Sequence, residues 1–384
     1  MRSRICGIRA LQVRCRKGGL VTAFATNGRR VAAVVPLDVD WRLEYAPPQD
    51  RSSRKEGPVT APRQFCTLFD RNYLVKGVAM LRSIALHSPG ARIRVLCMDD
   101  TTQALLRHLA IPGVVTLPLA AVETEDVLAA KKTRSISEYC WTLSAVLMWH
   151  VIQSDSDIDL LTYLDADLLF FSSVEPVFDD IGSASIAAIE HRYTARLAHL
   201  AVYGRFNVQW VSIRRDAEGL ACLKKWRDQC VEWCFAVVED GKLGDQKYLD
   251  AWPDEYPHFH SVRHVGAGVA PWNYPRYRIS ASAGRLYVDA AILVFYHFHQ
   301  FQMLDGGRYD YCSSNYTQDG PPPELIYGKY REALVAALAD IHRLEPAFKF
   351  GFRAAPSVTA RRFAQRFLPL AVKNALRRVR ARMS

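Results

Sequence analysis

Two aspartates, Asp165 and Asp167, stand two residues apart at the end of one apolar segment, and a second apolar segment follows directly. Carboxylates beside such segments are costly to bury unless a positive charge meets them. Mn²⁺ or Mg²⁺ prefers oxygen ligands and supplies that charge. On an extended chain the two side chains point the same way and Ala166 points the opposite way, so the spacing predicts a metal site that can hold a diphosphate.

The elements that must position these carboxylates alternate along the chain. Strands are predicted over 65–69, 93–98, 114–117 and 159–164, and helices over 73–86, 101–109 and 137–153. This alternation predicts an α/β domain with a mostly parallel sheet flanked by helices. Ligands of such sheets bind beyond the carboxyl ends of strands, which is where Asp165 stands.

The charge of the 384-residue chain is uneven: the first 64 residues carry +8, the last 39 carry +10 and the residues between them carry −7, for a total of +11. We therefore divide the chain into a poorly ordered basic extension (1–63), a catalytic domain (64–345) and a basic tail (346–384). The acidic remainder argues against nucleic acid as a partner. The odd number of cysteines, 9, and the lack of a long apolar run indicate a cytoplasmic protein without a transmembrane helix.

The tail predicts a basic amphipathic helix, kinked at Pro369. Its apolar face would hold Phe363, Phe367, Leu370, Ala371, Leu376 and Val379. Such a helix can attach a protein to an anionic membrane surface, here the inner membrane face. The alternative is a solvated helix with no membrane role.

Four blocks, in order, resemble the nucleotide-diphospho-sugar transferases of the GT-A fold, most closely glycosyltransferase family 8. They are Cys66 to Tyr73, Tyr163 to Leu168, Phe206 to Val211, and Gly244 to Gln246. The resemblance spans about residues 65–302. It implies a GT-A-like mixed, mostly parallel sheet, a divalent metal ion and a nucleoside-diphosphate sugar as donor.

By this resemblance each block has a role. The first grips the nucleoside, the second binds the metal, the third faces the donor sugar, and the fourth lies against the sugar and the reaction centre. The matching residues are, in that order, Thr67, Asp70 and Tyr73; Asp165 and Asp167; Asn207; and Asp245 with Gln246. Without the resemblance, Asp245 is explained as the N-cap of a following helix.

The sequence departs from the family pattern late in the domain. The family has a third metal ligand, a His followed by a Gly and then Lys-Pro-Trp, and the segment Tyr296 to His299 lacks that Gly and that Lys. By strand context we expect His297 to be the ligand. His264 is the alternative because it stands seven residues before Pro271.

Other departures concern charge and pocket shape. The missing Lys leaves Arg276, Arg278 or His299 to neutralise the leaving diphosphate, and Gln209 stands where the family has a Gly. Three polar residues, Lys132, Arg134 and Glu138, either face the donor or begin a solvated helix.

These patterns predict transfer of a hexose from a nucleoside-diphosphate sugar, with UDP as the expected nucleotide, to a glycan or lipid-linked acceptor. The resemblance implies retention of configuration. The alternative is a membrane-associated scaffold with a vestigial sugar-nucleotide site. A phosphatase would carry its Asp-x-Asp motif near the start of its domain, and a nucleotidyltransferase would carry a Gly-rich loop after its first strand.

Overall fold

A computed structural model describes residues 62–311, 316 and 321–354, together with two short strands nearer the N-terminus. Those strands, β1 (Val13–Arg14) and β2 (Leu20–Val21), pair antiparallel within a separate unit, Met1–Val59. The expectations for the rest of the N-terminal extension and for the tail from residue 355 onward lie outside the described residues.

A seven-stranded sheet forms the centre of the second unit, Thr60–Ser384. In spatial order its strands are β10 (Phe259–Ser261), β8 (Ile186–Glu190), β9 (Phe206–Arg214), β6 (Leu160–Leu164), β3 (Gln64–Phe69), β4 (Arg92–Cys97) and β5 (Val114–Pro118). Every neighbouring pair is parallel except that β9 runs antiparallel to both β8 and β6. The mixed, mostly parallel sheet expected from the sequence is confirmed.

Helices cover both faces of this sheet. They are α1 (Leu74–His87), α2 (Asp100–Leu109), α3 (Glu125–Lys131), α4 (Ile136–Ser154), α5 (Glu175–Ile181), α6 (Ala217–Glu232), α7 (Trp252–Glu255) and α8 (Glu324–Leu344). One apolar cluster joins the sheet to α1, α2, α5 and α8, and a second joins its other face to α3, α4 and α6. The strands are therefore apolar on both faces, as expected for strands buried between helix layers.

Smaller strands extend the domain beyond the sheet. They are β7 (Leu168–Phe170) with β14 (Phe295–His297); β11 (Ile279–Ser282), β12 (Arg285–Val288) and β13 (Ala291–Ile292); and β15 (Gln302–Leu304) with β16 (Arg308–Asp310) and β17 (Phe352–Arg353). Within the described residues, 3-10 segments lie at Leu119–Ala121, Ala195–Tyr203, Lys247–Ala251 and Tyr274–Arg276. Among the described residues, no helix is both long and apolar enough to cross a membrane.

Helix α8, which the sequence did not suggest, fixes the segment that follows β14. Phe298 stacks on Tyr330 with ring centroids 3.6 Å apart, and it meets Tyr327 edge to face at 5.1 Å. Phe301 packs against the same two rings. These contacts anchor the chain on the C-terminal side of His297.

Packing of this unit continues past residue 345, because β17 pairs in parallel with β15. The residue before β17, Gly351, has φ +84°, and a Cβ there would lie 2.5 Å from the carbonyl oxygen of Asn72. The last described strand therefore presses its backbone against the 70–73 loop that opens α1.

We expect Gly351→Ala to lower the free energy of unfolding by about 2 kcal/mol or more, because it adds a backbone clash to the strain of a positive φ. The matched control is Gly90→Ala, since Gly90 has φ +87° and nothing within 4 Å of its Cβ position. That change should cost only about 1 kcal/mol. Urea unfolding of both variants measures the difference. Equal losses of unfolding free energy would show that the close contact between Gly351 and the Asn72 carbonyl has no steric consequence.

Candidate functional site

The two aspartates and His297 come together because of how β7 pairs. Strand β6 ends at Leu164, residues 166–167 form a turn, and β7 begins at Leu168. Strand β7 then pairs antiparallel with β14 so that His297 lies opposite Leu168. The expectation of an extended chain through Asp165 and Asp167 is wrong, since a turn rather than strand alternation carries both side chains to one place.

The three side chains form one compact group at the carboxyl end of β6, and their candidate ligand atoms all lie within 4.8 Å of one another. His297 Nε2 is 3.0 Å from Asp167 Oδ1 and 3.8 Å from Asp165 Oδ2. His297 and Asp167 are buried, while 30% of the Asp165 side chain is exposed. The open side of the group is therefore at Asp165.

The charges of the group shift the pKa values of its members. Burial, opposed by His297 and reinforced by Asp167, raises the pKa of Asp165 to about 6. Against the effect of burial, the charge and hydrogen bond of His297 hold the pKa of Asp167 well below its usual value. Burial lowers the pKa of His297, but the two carboxylates raise it above its ordinary value. The upward shift at His297 and the downward shift at Asp167 both favour the charged forms of this pair.

This donor set fits a divalent cation. Two carboxylate oxygens and one imidazole nitrogen suit Mn²⁺, and the oxygens also suit Mg²⁺. His297 Nε2 points at both carboxylates. A cation that replaced the proton on Nε2 would therefore lie between the three ligand atoms. His264 does not belong to this group: its backbone N–H donates to Asp180 Oδ2 at 3.0 Å, and Arg192 and Asp180 are its charged neighbours.

Asn207 lies near the metal group, which comprises Asp165, Asp167 and His297, and hydrogen bonds hold both ends of its side-chain amide. Its Nδ2 lies 3.1 Å from His191 Nε2 and donates to Gln246 Oε1 at 3.1 Å, while its Oδ1 accepts from the Gln209 backbone N–H at 3.1 Å. Burial lowers the pKa of His191 to about 3, so its ring is neutral. With Nδ1 protonated and facing the Arg205 carbonyl at 3.2 Å, Nε2 is free to accept from Asn207.

The exposed end of this network is the Gln246 amide, whose Nε2 donates to the Tyr203 carbonyl at 2.8 Å. The adjacent Asp245 is buried, and burial with the Asp165 charge raises its pKa to about 7. The alternative explanation of Asp245 as a helix N-cap is wrong, because the following 3-10 helix starts after Gln246 without a side-chain cap. The structure thus joins the third and fourth sequence blocks in one network.

A bulge in β9 creates this arrangement. Pairing with β8 jumps from Val211 opposite Ala188 to Asn207 opposite Ile189, so three residues of β9 have no partner there. Bulges re-aim side chains and are common beside functional sites. The bulge contains Gln209, whose backbone carbonyl accepts from Asp165 N at 3.2 Å and whose fully buried side-chain amide has no hydrogen-bond partner at either atom.

The first block lies on the other side of the metal group. Thr67 is fully buried with no hydrogen-bond partner for its hydroxyl. The Asp70 carboxylate accepts the backbone N–H groups of Asn72 and Tyr73 at 3.0 and 3.2 Å, which holds the loop in a turn. Desolvation of the hydroxyl and the Asp167 and Asp165 carboxylates raise the pKa of Tyr73, although 40% of this residue is exposed. Tyr73 therefore lies within electrostatic range of the two carboxylates.

Two of the three remaining candidates, Arg134 and Glu138, have structural partners. Arg134 donates to the Val231 and Glu232 carbonyls and stacks on Phe235, with its guanidinium carbon 3.8 Å from the ring centroid. Glu138 completes a capping box with Ser135 at the start of α4. Both therefore tie α4 to the chain after α6, and Lys132 is exposed.

Arg276, Arg278 and His299, the residues considered as replacements for the missing Lys, lie in different surroundings. The Arg276 side chain donates to the Arg192 and Tyr193 carbonyls. The Arg278 backbone N–H donates to Asp289, at one end of the β11–β12 hairpin. His299 meets His297 with ring centroids 5.4 Å apart, so among these three it is the one beside the metal group.

No family model matches the sequence. The chain is 30% identical to the uncharacterized protein YfnD of Bacillus subtilis strain 168 over 304 residues, which cover 78% of this chain and 98% of YfnD. The chain belongs to the YfnD family. It is also 29% identical to the uncharacterized protein YfnF of the same organism over 294 residues, which cover 74% of this chain and 95% of YfnF.

Similarity of this YfnD-family chain to solved structures is more distant. It covers 76% of this chain and 65% of the glycosyltransferase GlyE of Streptococcus pneumoniae TIGR4, with 13% identity and a TM-score of 0.43. For the galactosyltransferase LgtC the shares are 71% and 95%, with 15% identity and a TM-score of 0.42. For mouse xyloside xylosyltransferase 1 they are 68% and 100%, with 14% identity and a TM-score of 0.41. At these scores the similarity assigns neither substrate nor mechanism.

Two residues of the YfnD-family site were missed in the sequence. His191 follows β8, which is parallel to β6, so the strand-end rule that singled out Asp165 applies to it as well. Lys76 interrupts the apolar pattern of α1 and is buried. A lysine inside a buried helical segment is a usable signal, because burial of an ammonium group needs a reason.

For this YfnD-family chain we expect Mn²⁺ to stabilise the wild type by about 2.7 kcal/mol when its concentration is 100 times Kd. Asp167→Asn should lose that gain, because it removes an anionic ligand. His264→Ala, the matched control, should keep it. Thermal unfolding with and without Mn²⁺ measures both effects. A gain that survives in Asp167→Asn, or disappears in His264→Ala, would contradict the assignment of the group.

Proposed function

We propose that this chain is a metal-dependent glycosyltransferase that moves a hexose from a nucleoside-diphosphate sugar to a hydroxyl of a glycan or lipid-linked acceptor. The observation that carries the proposal is the convergence of Asp165, Asp167 and His297 at the carboxyl end of β6, with the Asn207–Gln246 pair alongside. A bound Mn²⁺ or Mg²⁺ would supply charge stabilisation to the diphosphate.

Residues of the chain bind the other parts of the donor, the nucleoside and the sugar. The 70–73 loop lies where the nucleoside would bind, while Asn207 and Gln246 present a prearranged amide pair to the sugar. The bond between the anomeric carbon and the β-phosphate oxygen breaks with its electron pair on the phosphate. The acceptor oxygen bonds to that carbon, and its proton passes to the released diphosphate.

Retention of configuration is part of the proposal. The buried carboxyl beside the sugar position is Asp245, and its raised pKa reflects burial and the nearby Asp165. With Gln246 it lines one side of the reaction centre. A fixed polar surface around the anomeric carbon stabilises developing positive charge without a separate base.

Calorimetric titration of UDP into the protein, with and without Mn²⁺, tests the donor site. We expect binding that needs Mn²⁺ in the wild type and is lost in Asp165→Ala, because Asp165 is the open-side ligand. Metal-independent binding of equal strength in both proteins would count against the assignment. If UDP and other nucleoside diphosphates all failed to bind, the scaffold alternative would replace the enzyme.

Replacing Gln209 distinguishes a ligand-binding role of its buried amide from a packing role. We expect Gln209→Leu to raise the free energy of unfolding of the ligand-free protein by about 1–3 kcal/mol, since it removes two buried polar atoms without partners. If Gln209 binds sugar hydroxyls, the same change weakens binding of a UDP-hexose relative to UDP. Urea unfolding and calorimetry measure the two effects.

The control for this prediction is Gln229→Leu, because Gln229 is half-buried on α6 and its side chain is not part of the Asn207 hydrogen-bond network. It should change neither quantity. A Gln209→Leu protein that gains no stability and retains full preference for the UDP-hexose would show that the amide neither lacks partners nor contacts the sugar.

A further inference from the structure

One lysine of α1 lies beside the metal group without a carboxylate partner. The Lys76 side chain is buried, and its Nζ donates to the Phe301 carbonyl at 2.7 Å and lies 4.3 Å from the centroid of the Tyr73 ring. Within the described part of the chain it makes no ion pair. Burying an ammonium group is costly, and one carbonyl and one ring face compensate it only partly.

The backbone after β14 brings Nζ close to the metal group. Phe298 N donates to the Asp167 carbonyl at 2.9 Å, and Phe301 N donates to the Phe298 carbonyl at 3.0 Å. Lys76 holds the end of this short loop. Burial lowers the pKa of Lys76 to about 8, and Asp167 and Arg353 act on it in opposite directions. Lys76 is therefore within electrostatic range of the metal group.

A second cation approaches from the last described strand. Arg353 in β17 is exposed, and its charge acts on both Lys76 and Tyr73. The contact between Gly351 and the Asn72 backbone sets β17 against the same loop. The two cations thus lie where the 70–73 loop meets the metal group.

We propose that Lys76 and Arg353 form a cationic wall of the diphosphate site, facing the metal group across the bound nucleoside diphosphate. This inference rests on the proposed function. The family pattern has a lysine after the late His, and this chain lacks it. Lys76, on helix α1, supplies the corresponding positive charge. Its ammonium pairs with the oxygen that gains the electron pair when the sugar leaves.

The alternative is that Lys76 only ties the Phe301 carbonyl to α1. A diphosphate without a base separates the two, so we would titrate inorganic pyrophosphate with Mn²⁺ into wild type, Lys76→Met, Lys76→Arg and Arg353→Met. Uridine serves as a ligand that lacks phosphate. The matched control is Lys225→Met, because Lys225 pairs with Glu255 on the surface of α6 at 2.8 Å.

We expect Lys76→Met to weaken pyrophosphate binding about tenfold or more and Arg353→Met about threefold, with Lys76→Arg closer to wild type. Uridine affinity and the Lys225→Met protein should be unchanged. Unchanged pyrophosphate affinity in Lys76→Met would overturn the role of Lys76, as would an equal loss of uridine affinity. If Lys76→Met does not fold, Arg353→Met decides the question, and an unchanged pyrophosphate affinity in that variant would overturn the cationic wall.

Failure of the proposed function would have a different signature. A wild-type protein that binds neither pyrophosphate nor any nucleoside diphosphate in the presence of Mn²⁺ has no diphosphate site, which overturns both proposals. A wild type that binds, together with Lys76→Met and Arg353→Met variants that bind equally well, overturns only the cationic wall.

Discussion

Two carboxylates at the end of β6 must be compensated by positive charge, and the rest of the site is organised by that requirement. His297 provides the nearest compensation, and it does so because β14 pairs with β7 in one register. A one-residue slip of that pairing would turn the imidazole to the opposite face. The aromatic contacts of Phe298 and Phe301 with α8 oppose such a slip. A helix far along the chain therefore stabilises an electrostatic arrangement through its buried aromatic face.

The single reversed strand of the sheet, β9, has a comparable effect on Asn207 and Gln209. An uninterrupted ladder between β8 and β9 would direct Asn207 and Gln209 by strand alternation alone. The bulge breaks the ladder at this point, and the Gln209 backbone carbonyl accepts from the Asp165 backbone N–H. The hydrogen bonds to His191 and Gln246 then fix Asn207 in one orientation. Such prearrangement lowers the reorganisation that binding requires.

The strand–helix order and the carboxylate pair could be predicted from the sequence, because apolar periodicity and residue chemistry are local properties. His297 was predicted from the family resemblance together with its strand context. The turn at 166–167 and the β9 bulge could not be predicted, since both depend on pairing with strands far away in the chain. The roles of Arg134 and Glu138 were left open for the same reason: their partners, Val231 and Ala236, lie about a hundred residues downstream. The metal and sugar roles themselves stay predictions, as do the N-terminal extension and the tail.

The contact between Gly351 and Asn72 joins the last described strand to the first loop of the domain. During synthesis the 70–73 loop leaves the ribosome long before β17 exists, so its final support forms only when the domain is nearly complete. Contacts of such sequence separation slow folding, because a long loop must close before they form. The 70–73 loop is therefore expected to be among the last parts of this domain to reach its final structure in a growing chain.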